Sequence, residues 1–338
     1  MKKSFSLLFF TMCVFFAVLS CKEDDEVQAI PPRDRAEEAI ASTAEIETFL
    51  STHFYNYEEF NNPPVDFNFQ VKFDTISGEN ASKTPLVDQV ASKTVRDRVD
   101  ENTTYTFYYL IATQGGGESP SFPDIATITY EGTYLNNENG FNNSSVFDSS
   151  TVPVRFDLTA VVPGFADALI EMNASTGYIS NVDGTVTFQN YGVGAVFIPS
   201  GLAYYTTPPP QSGIPVYSQL VFSFQLYVTE IGDQEGDKVP SVYEDLNNNG
   251  NLFDDDTDSD GVPDFSDVDD DGDGRLTRNE VTENSYSVNP GESEPALAVN
   301  EFVRKRETDP DTLVKTITTS TFTDSDGNGT PDYLDPEN

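Results

Sequence analysis

The run SQLVFSFQLYVTEI constrains this chain most. Within it Leu220, Phe222, Phe224, Leu226 and Val228 recur at every second position. Successive side chains of a strand point to opposite faces, so this spacing predicts a half-buried strand. A strand needs partners, because its backbone N–H and C=O groups must be paired. ATITYEGTY, residues 126–134, is rich in β-branched and aromatic residues and supplies one candidate. TYTFYYLIAT, residues 104–113, supplies another and runs into a Gly- and Pro-rich turn. Between these strands lies GFADALIEM, where Phe165, Leu169 and Met172 fall at i, i+4 and i+7, on one face of a short helix. Pro163 just before it suits a helix start. The predicted class is α+β, with an antiparallel sheet wrapped around a short helix.

Charge and rare residues narrow the chemistry. The 338 residues hold 57 acids and 18 lysines and arginines, a formal net charge of −39. That balance argues against nucleic acid as a partner, because binding phosphates requires a basic surface. The two cysteines are Cys13 and Cys21, so the body of the chain has no disulfide, thiol nucleophile or cysteine-based zinc site. His53 is the only histidine and falls on a predicted helix. A Ser-His-Asp hydrolase would have to be built around it, and no nucleophile-elbow sequence is present.

Taken in order, residues 1–20 read as a signal peptide. Lys2 and Lys3 precede an apolar run from Phe5 to Leu19, too short to span a bilayer. VLSC resembles a bacterial lipobox, which makes Cys21 the lipidation site, and the following KEDDE resembles a surface-export tag. The chain is therefore expected in the cell envelope as an outer-membrane lipoprotein, surface-exposed or periplasmic. Residues 21–33 read as a lipidated linker containing Pro31 and Pro32. Residues 34–102 read as an N-terminal extension. Ala36, Ile40, Phe49, Leu50 and Phe54 predict a helix from Asp34 to Phe54, and DFNFQVKFDTI predicts a strand with Phe67, Phe69, Val71 and Phe73 alternating. The sequence leaves open whether this extension packs on the following domain or pairs with another chain.

The phrases ATITYEGTYL, VFDSSTVPVRFDL, VVPGFADALIEM, VFIPSGLAYY and IPVYSQLVFSFQLYVTEI, in that order, resemble FKBP-type peptidyl-prolyl cis–trans isomerases. The resemblance covers about a third of the chain and sets a domain at 103–231. It implies an aromatic pocket that acts on proline-containing polypeptides and uses no cofactor for catalysis. Tyr130 matches the wall tyrosine of a Y-x-G motif, here Tyr130-Glu131-Gly132. Phe147 and Asp148 match the family's Phe-Asp pair. Val161 and Val162 match the pair whose backbone N–H holds a ligand carbonyl, and Tyr204 the tyrosine whose hydroxyl does so. Ile214 and Phe222 match further walls, and Phe165 stands where the family usually has tryptophan. Tyr205 replaces the glycine that usually follows Ala-Tyr, the loop from Ser150 to Pro153 is short and lacks the usual basic residue, and residues 173–190 form an insertion.

After Ile231 the composition changes, and 29 of the 57 acids fall in residues 233–338. DDDGDGRLTRNE fits an EF-hand-type loop, with Asp269, Asp271, Asp273, Arg275, Thr277 and Glu280 at ligand positions. Similar spacings recur at Asp245, Asn247 and Asn249, at Asp256, Asp258, Asp260, Asp264 and Asp267, and at Asp324, Asp326, Asn328, Asp332 and Asp335. These resemble thrombospondin type 3-like calcium repeats. The resemblance implies a calcium-loop-rich acidic tail at 232–338, holding Ca2+ and little core. LVKTITTSTF, residues 313–322, can add a strand.

The leading expectation is a lipid-anchored prolyl isomerase that assists folding of exported proteins. The alternative is a non-catalytic surface binding or chaperone lipoprotein on the same scaffold. The sequence does not fix an oligomeric state. Replacing Cys21 with serine is expected to release the protein from the membrane fraction, as read by detergent phase partition. Retention of the variant in membranes would refute the lipobox reading.

Overall fold

The computed structural model describes residues 31–136, 143–309 and 311–338. The signal segment, Cys21 and most of the 21–33 linker lie outside the described residues. In chain order the elements are α1 (Arg35–Thr52), β1 (His53–Tyr55), α2 (Tyr57–Asn61), β2 (Phe73–Thr75), β3 (Ala91–Arg96), β4 (Thr104–Thr113), β5 (Ile125–Asn136) and β6 (Asn143–Asp157). There follow α3 (Pro163–Leu169), β7 (Gly177–Ser180), β8 (Val186–Gln189), β9 (Gly192–Ile198), β10 (Leu220–Glu230), β11 (Val281–Val288), β12 (Glu301–Thr308) and β13 (Lys315–Phe322). The architecture is mixed α+β. Among the described residues no helix is long and apolar enough to cross a membrane.

The principal sheet is antiparallel and six-stranded, in the order β3-β4-β9-β10-β5-β6. The period-two run forms β10, in the interior of this sheet. Leu220, Phe222, Phe224 and Leu226 face a core that also holds Phe165 and Leu169 of α3 and Met172 just beyond it. Pro163 opens α3 at its first turn, where a missing N–H costs nothing.

The half-buried expectation for β10 needs correcting. Val221 faces a second core on the opposite side of the sheet, with Leu110, Val193, Ala195 and Phe197. Ile46, Phe49 and Leu50 of α1 cover that face. All seven residues of β9 are buried as a result. The N-terminal segment thus packs on this chain's own sheet, and it also contributes the edge strand β3.

Asp34 caps α1, its carboxylate accepting from the N–H groups of Ala36 and Glu37 at 3.0 Å each. The helix ends at Thr52, so His53 lies in β1, one residue past it. The His53 ring stacks on Phe49 with centroids 3.9 Å apart, and burial lowers its pKa. DFNFQVKFDTI yields only β2. Asp66 at φ 65° and Phe69 at φ 54° adopt left-handed conformations that interrupt an extended strand, and Phe67 and Phe69 pack ring against ring instead. The 173–190 insertion folds into the hairpin β7–β8.

Residues 232–338 also depart from expectation. They form a second antiparallel sheet, β11-β13-β12, and β13 is the strand foreseen in LVKTITTSTF. Val239, Val281, Phe322 and Tyr333 make a buried core there. The region is folded around that core rather than built of loops alone. It joins the first sheet through Gln234, whose side-chain amide donates to the Pro123 carbonyl (2.7 Å) and the Asp157 carboxylate (3.1 Å).

Phe197 is fully buried between Phe49 of α1 and Phe73 of β2. Phe197→Ala is expected to destabilise the protein by about 3–5 kcal/mol, read from the denaturant midpoint, because it empties the core between helix and sheet. A cost near zero would mean that α1 does not close this face.

Candidate functional site

The sheet face that carries α3 opens into a cavity of about 450 Å³. Tyr130, Phe147, Asp148, Val161, Val162, Phe165, Tyr204 and Phe222 line it together. Ile214, named with them from sequence, is instead buried in the adjoining core. Phe156, Asp157, Ala160 and Pro163 also line the cavity and were not named as site residues from sequence. The available signal was their adjacency to matched phrases, since Phe156 and Asp157 fall within VFDSSTVPVRFDL.

Phe165 forms the floor and stacks on Phe222 with centroids 4.6 Å apart. The Phe147 ring meets Phe222 edge-on at 5.6 Å, and Tyr130 meets Phe156 edge-on at 5.2 Å. Such edge-on and offset pairs suit the ring quadrupoles. Gly132 pairs with Phe222 in the ladder, and the space a side chain would need is taken. A Cβ there would lie 2.7 Å from Phe147 and 2.8 Å from Phe222. The Tyr130 hydroxyl donates to Asp148 Oδ2 at 2.5 Å. Burial, then this bond to a carboxylate, raises the Tyr130 pKa, and burial raises that of Tyr204.

α1 holds the residues that flank Tyr204. The Arg35 guanidinium pairs with Asp97 and donates to the Gly201 carbonyl at 3.0 Å. It also lies 4.3 Å from the centre of the Tyr205 ring. Tyr205 has φ 51°, the left-handed conformation that glycine adopts without penalty. The residue that stands where the resembled family usually has glycine thus takes a conformation open to glycine and adds a ring beneath Arg35. One turn along the helix, buried Glu38 accepts from Ser42 (3.1 Å) and Ser200 (3.0 Å), and Gln219 donates to Ser42 (3.1 Å).

In the C-terminal region the acid-rich spacings form turns in which side chains accept from their own backbone. Asp245 takes the N–H groups of Asn249 and Gly250, Asn247 that of Asn249, and Asn249 that of Asn251. Asp256 takes Gly261, Asp258 takes Asp260, Asp260 takes Val262, Asp264 takes Thr257 and Asp267 takes Asp269. Asp271 takes Asp273, and Asp273 takes Arg275. Asp324, Asp326, Asn328, Asp332 and Asp335 behave alike toward Gly329, Asn328, Thr330, Ser325 and Glu337. The Thr277 hydroxyl bonds Asp270 (3.0 Å), while the Arg275 guanidinium stands 3.6 Å from Glu280. Carboxylate oxygens of Asp256, Asp258 and Asp260, and likewise of Asp269, Asp271 and Asp273, lie within 4.8 Å of one another. So do those of Asp237, Glu244 and Asp270, a buried trio that the sequence reading missed.

Comparison with known proteins separates the two halves. Over 107 residues the chain is 31% identical to a protein of Neisseria meningitidis serogroup B (strain ATCC BAA-335 / MC58) named "Probable FKBP-type peptidyl-prolyl cis-trans isomerase FkpA". The match covers 31% of this chain and 31% of that relative, so this chain spans about a third of the relative's length. Three solved structures are similar in part, each with a TM-score of 0.28. FkpA from Escherichia coli is 27% identical, over 36% of this chain and 47% of that one. A prolyl isomerase from Pseudomonas syringae pv. tomato is 24% identical, over 36% and 74%. The N-terminal domain of FKBP42 from Arabidopsis thaliana is 14% identical, over 37% and 86%. About a third of the chain is similar in sequence to a protein named as a probable FKBP-type prolyl isomerase.

Residues 234–298 match the family described as BamM C-terminal, and not a calcium-repeat module. This overturns the expectation of thrombospondin type 3-like and EF-hand-like repeats, and with it calcium as a cofactor. The ligand positions expected in residues 245–280 fall within that match, and those of 324–335 make the same turn contacts. Aspartates spaced two apart also serve turns, which is why the pattern misled.

The buried trio bears on stability. Burial, then the charge of Asp237, raises the Asp270 pKa from 3.8 to about 8, and burial raises that of Asp237 to about 6. The folded form therefore keeps protons that the unfolded chain loses near pH 4. This stability is full below that value and is lost as the pH rises through about 6 to 8. The thermal midpoint of the full chain is expected to fall from about pH 5 to about pH 8, and Asp270→Asn to flatten the slope. A wild-type midpoint independent of pH in that window would sink this account.

Proposed function

We propose that residues 103–231 form a peptidyl-prolyl cis–trans isomerase assisting the folding of exported polypeptides, anchored to the cell envelope through lipid on Cys21. The observation that carries this reading is the gathering of eight residues, named from their family positions, around one aromatic cavity. The sequence similarity to a protein named as a probable FKBP-type isomerase supports it.

Rotation about an Xaa–Pro bond breaks amide resonance, a barrier of about 18–20 kcal/mol. The twisted amide carries less charge separation than either planar form. An apolar cavity therefore favours it over both ground states without any covalent step, nucleophile or cofactor. Phe165, Phe222 and Phe147 enclose the proline ring. The Tyr204 hydroxyl and the backbone at Val161 and Val162 hold the peptide carbonyls. Asp148, bonded to the Tyr130 hydroxyl, faces the rotating amide.

The competing reading is a binding or chaperone scaffold without turnover. The stretch from Ser150 to Pro153, which lies within β6 rather than in a loop and lacks a basic residue, favours it.

Exchange NMR on a short Xaa-Pro peptide, without a coupling protease, decides between them. Acceleration is expected, and Tyr204→Phe should lower kcat/KM about fivefold, the worth of one hydrogen bond of about 1 kcal/mol. Folded protein that accelerates nothing would overturn the catalytic reading.

A further inference from the structure

From Thr103 to Ile231 the chain carries one basic side chain, Arg155, against ten carboxylates, a balance of −9. Arg155 does not reach the cavity; its guanidinium donates to Glu230 at 2.8 Å. Three of the cations that the N-terminal segment brings to this domain are also matched, and a fourth, Arg96, lies on the edge strand β3 and not on the cavity wall. Lys93 pairs with Glu171, Arg98 with Asp167 and Arg35 with Asp97. The cavity wall itself includes two carboxylates, Asp148 and Asp157, and no lysine, arginine or histidine.

Asp148 is exposed at this wall. Its Oδ2 accepts from the Tyr130 hydroxyl and its Oδ1 from the Ser149 N–H at 2.9 Å. A carboxylate offers about four acceptor sites, so capacity remains for a donor on a ligand. Asp157 is fixed by Thr159 and Gln234, which leaves its charge in place beside the aromatic floor. An uncompensated negative wall next to an apolar cavity favours a ligand that pairs an apolar ring with a nearby cation.

We propose that the cavity selects prolyl peptides with a lysine or arginine within one or two residues of the proline, and that Asp148 is the specificity-determining residue. The inference deepens the isomerase reading and rests on it for its turnover. Its binding preference is measurable separately.

The test uses Ala-Xaa-Pro-Phe peptides with Xaa lysine, leucine or glutamate, and reads exchange rate and Kd by NMR on the full chain. At low salt the lysine peptide should exceed the glutamate peptide about tenfold in both kcat/KM and affinity, and high salt should shrink that ratio. Asp148→Asn should narrow the lysine-to-glutamate ratio to about twofold, the value left by general field effects. Asp183→Asn, in the turn of the β7–β8 hairpin, should leave the ratio unchanged. Equal narrowing in the two variants would overturn the role of Asp148. Equal rates and equal affinities across the peptides would overturn the selectivity while leaving isomerisation intact. A tenfold affinity preference without acceleration would support the selectivity and overturn the catalytic reading. Neither preference nor acceleration would overturn both.

Discussion

Burial of the central sheet on both faces is the constraint on which the rest depends. An antiparallel sheet can leave one face to water, and the alternation of β10 suggested that it would. Here Val221 and the whole of β9 are buried as well. The face that carries the cavity cannot be considered apart from the face covered by α1, because the same strands serve both. Phe222 holds the cavity floor in place, and its neighbour Val221 holds the sheet against Ile46, Phe49 and Leu50.

A helix outside the matched region also reaches the residues on either side of Tyr204 in the cavity wall. Arg35 binds the Gly201 carbonyl and covers the Tyr205 ring, and Glu38 and Ser42 bind Ser200. All of these act on the segment that leads into Tyr204. A tyrosine at positive φ costs on the order of 1–2 kcal/mol, which surrounding contacts must offset. Arg35 and the edge-on ring of Tyr217, 5.0 Å away, supply such contacts. The N-terminal segment is thus part of the cavity's architecture.

The C-terminal region manages dense negative charge in two ways. In the turns, exposed carboxylates and buried ones such as Asp264, Asp271 and Asp332 fold back on backbone N–H groups, each satisfying donors that no helix or strand uses. In the interior, Asp237, Glu244 and Asp270 are forced together under Tyr333 and Val239, where desolvation disfavours their charged forms. Gln234 links this region to Asp157 and so to the cavity wall.

The α+β class, the short helix at Phe165 and Leu169, and the strand at Leu220–Glu230 were legible in the sequence, because periodicity records which face of a local element is apolar. Most of the residues around the cavity were legible too, because the matched phrases preserve their order along the chain. The aspartate spacing was visible but ambiguous, since turn formation and cation binding use the same short-range geometry. What covers the back of the sheet, why Tyr205 is accommodated, that Phe156 and Asp157 complete the wall, and that Asp237, Glu244 and Asp270 converge were decided by tertiary structure. Each of these joins residues far apart in the chain, and local pattern carries no record of which distant surface an element will meet.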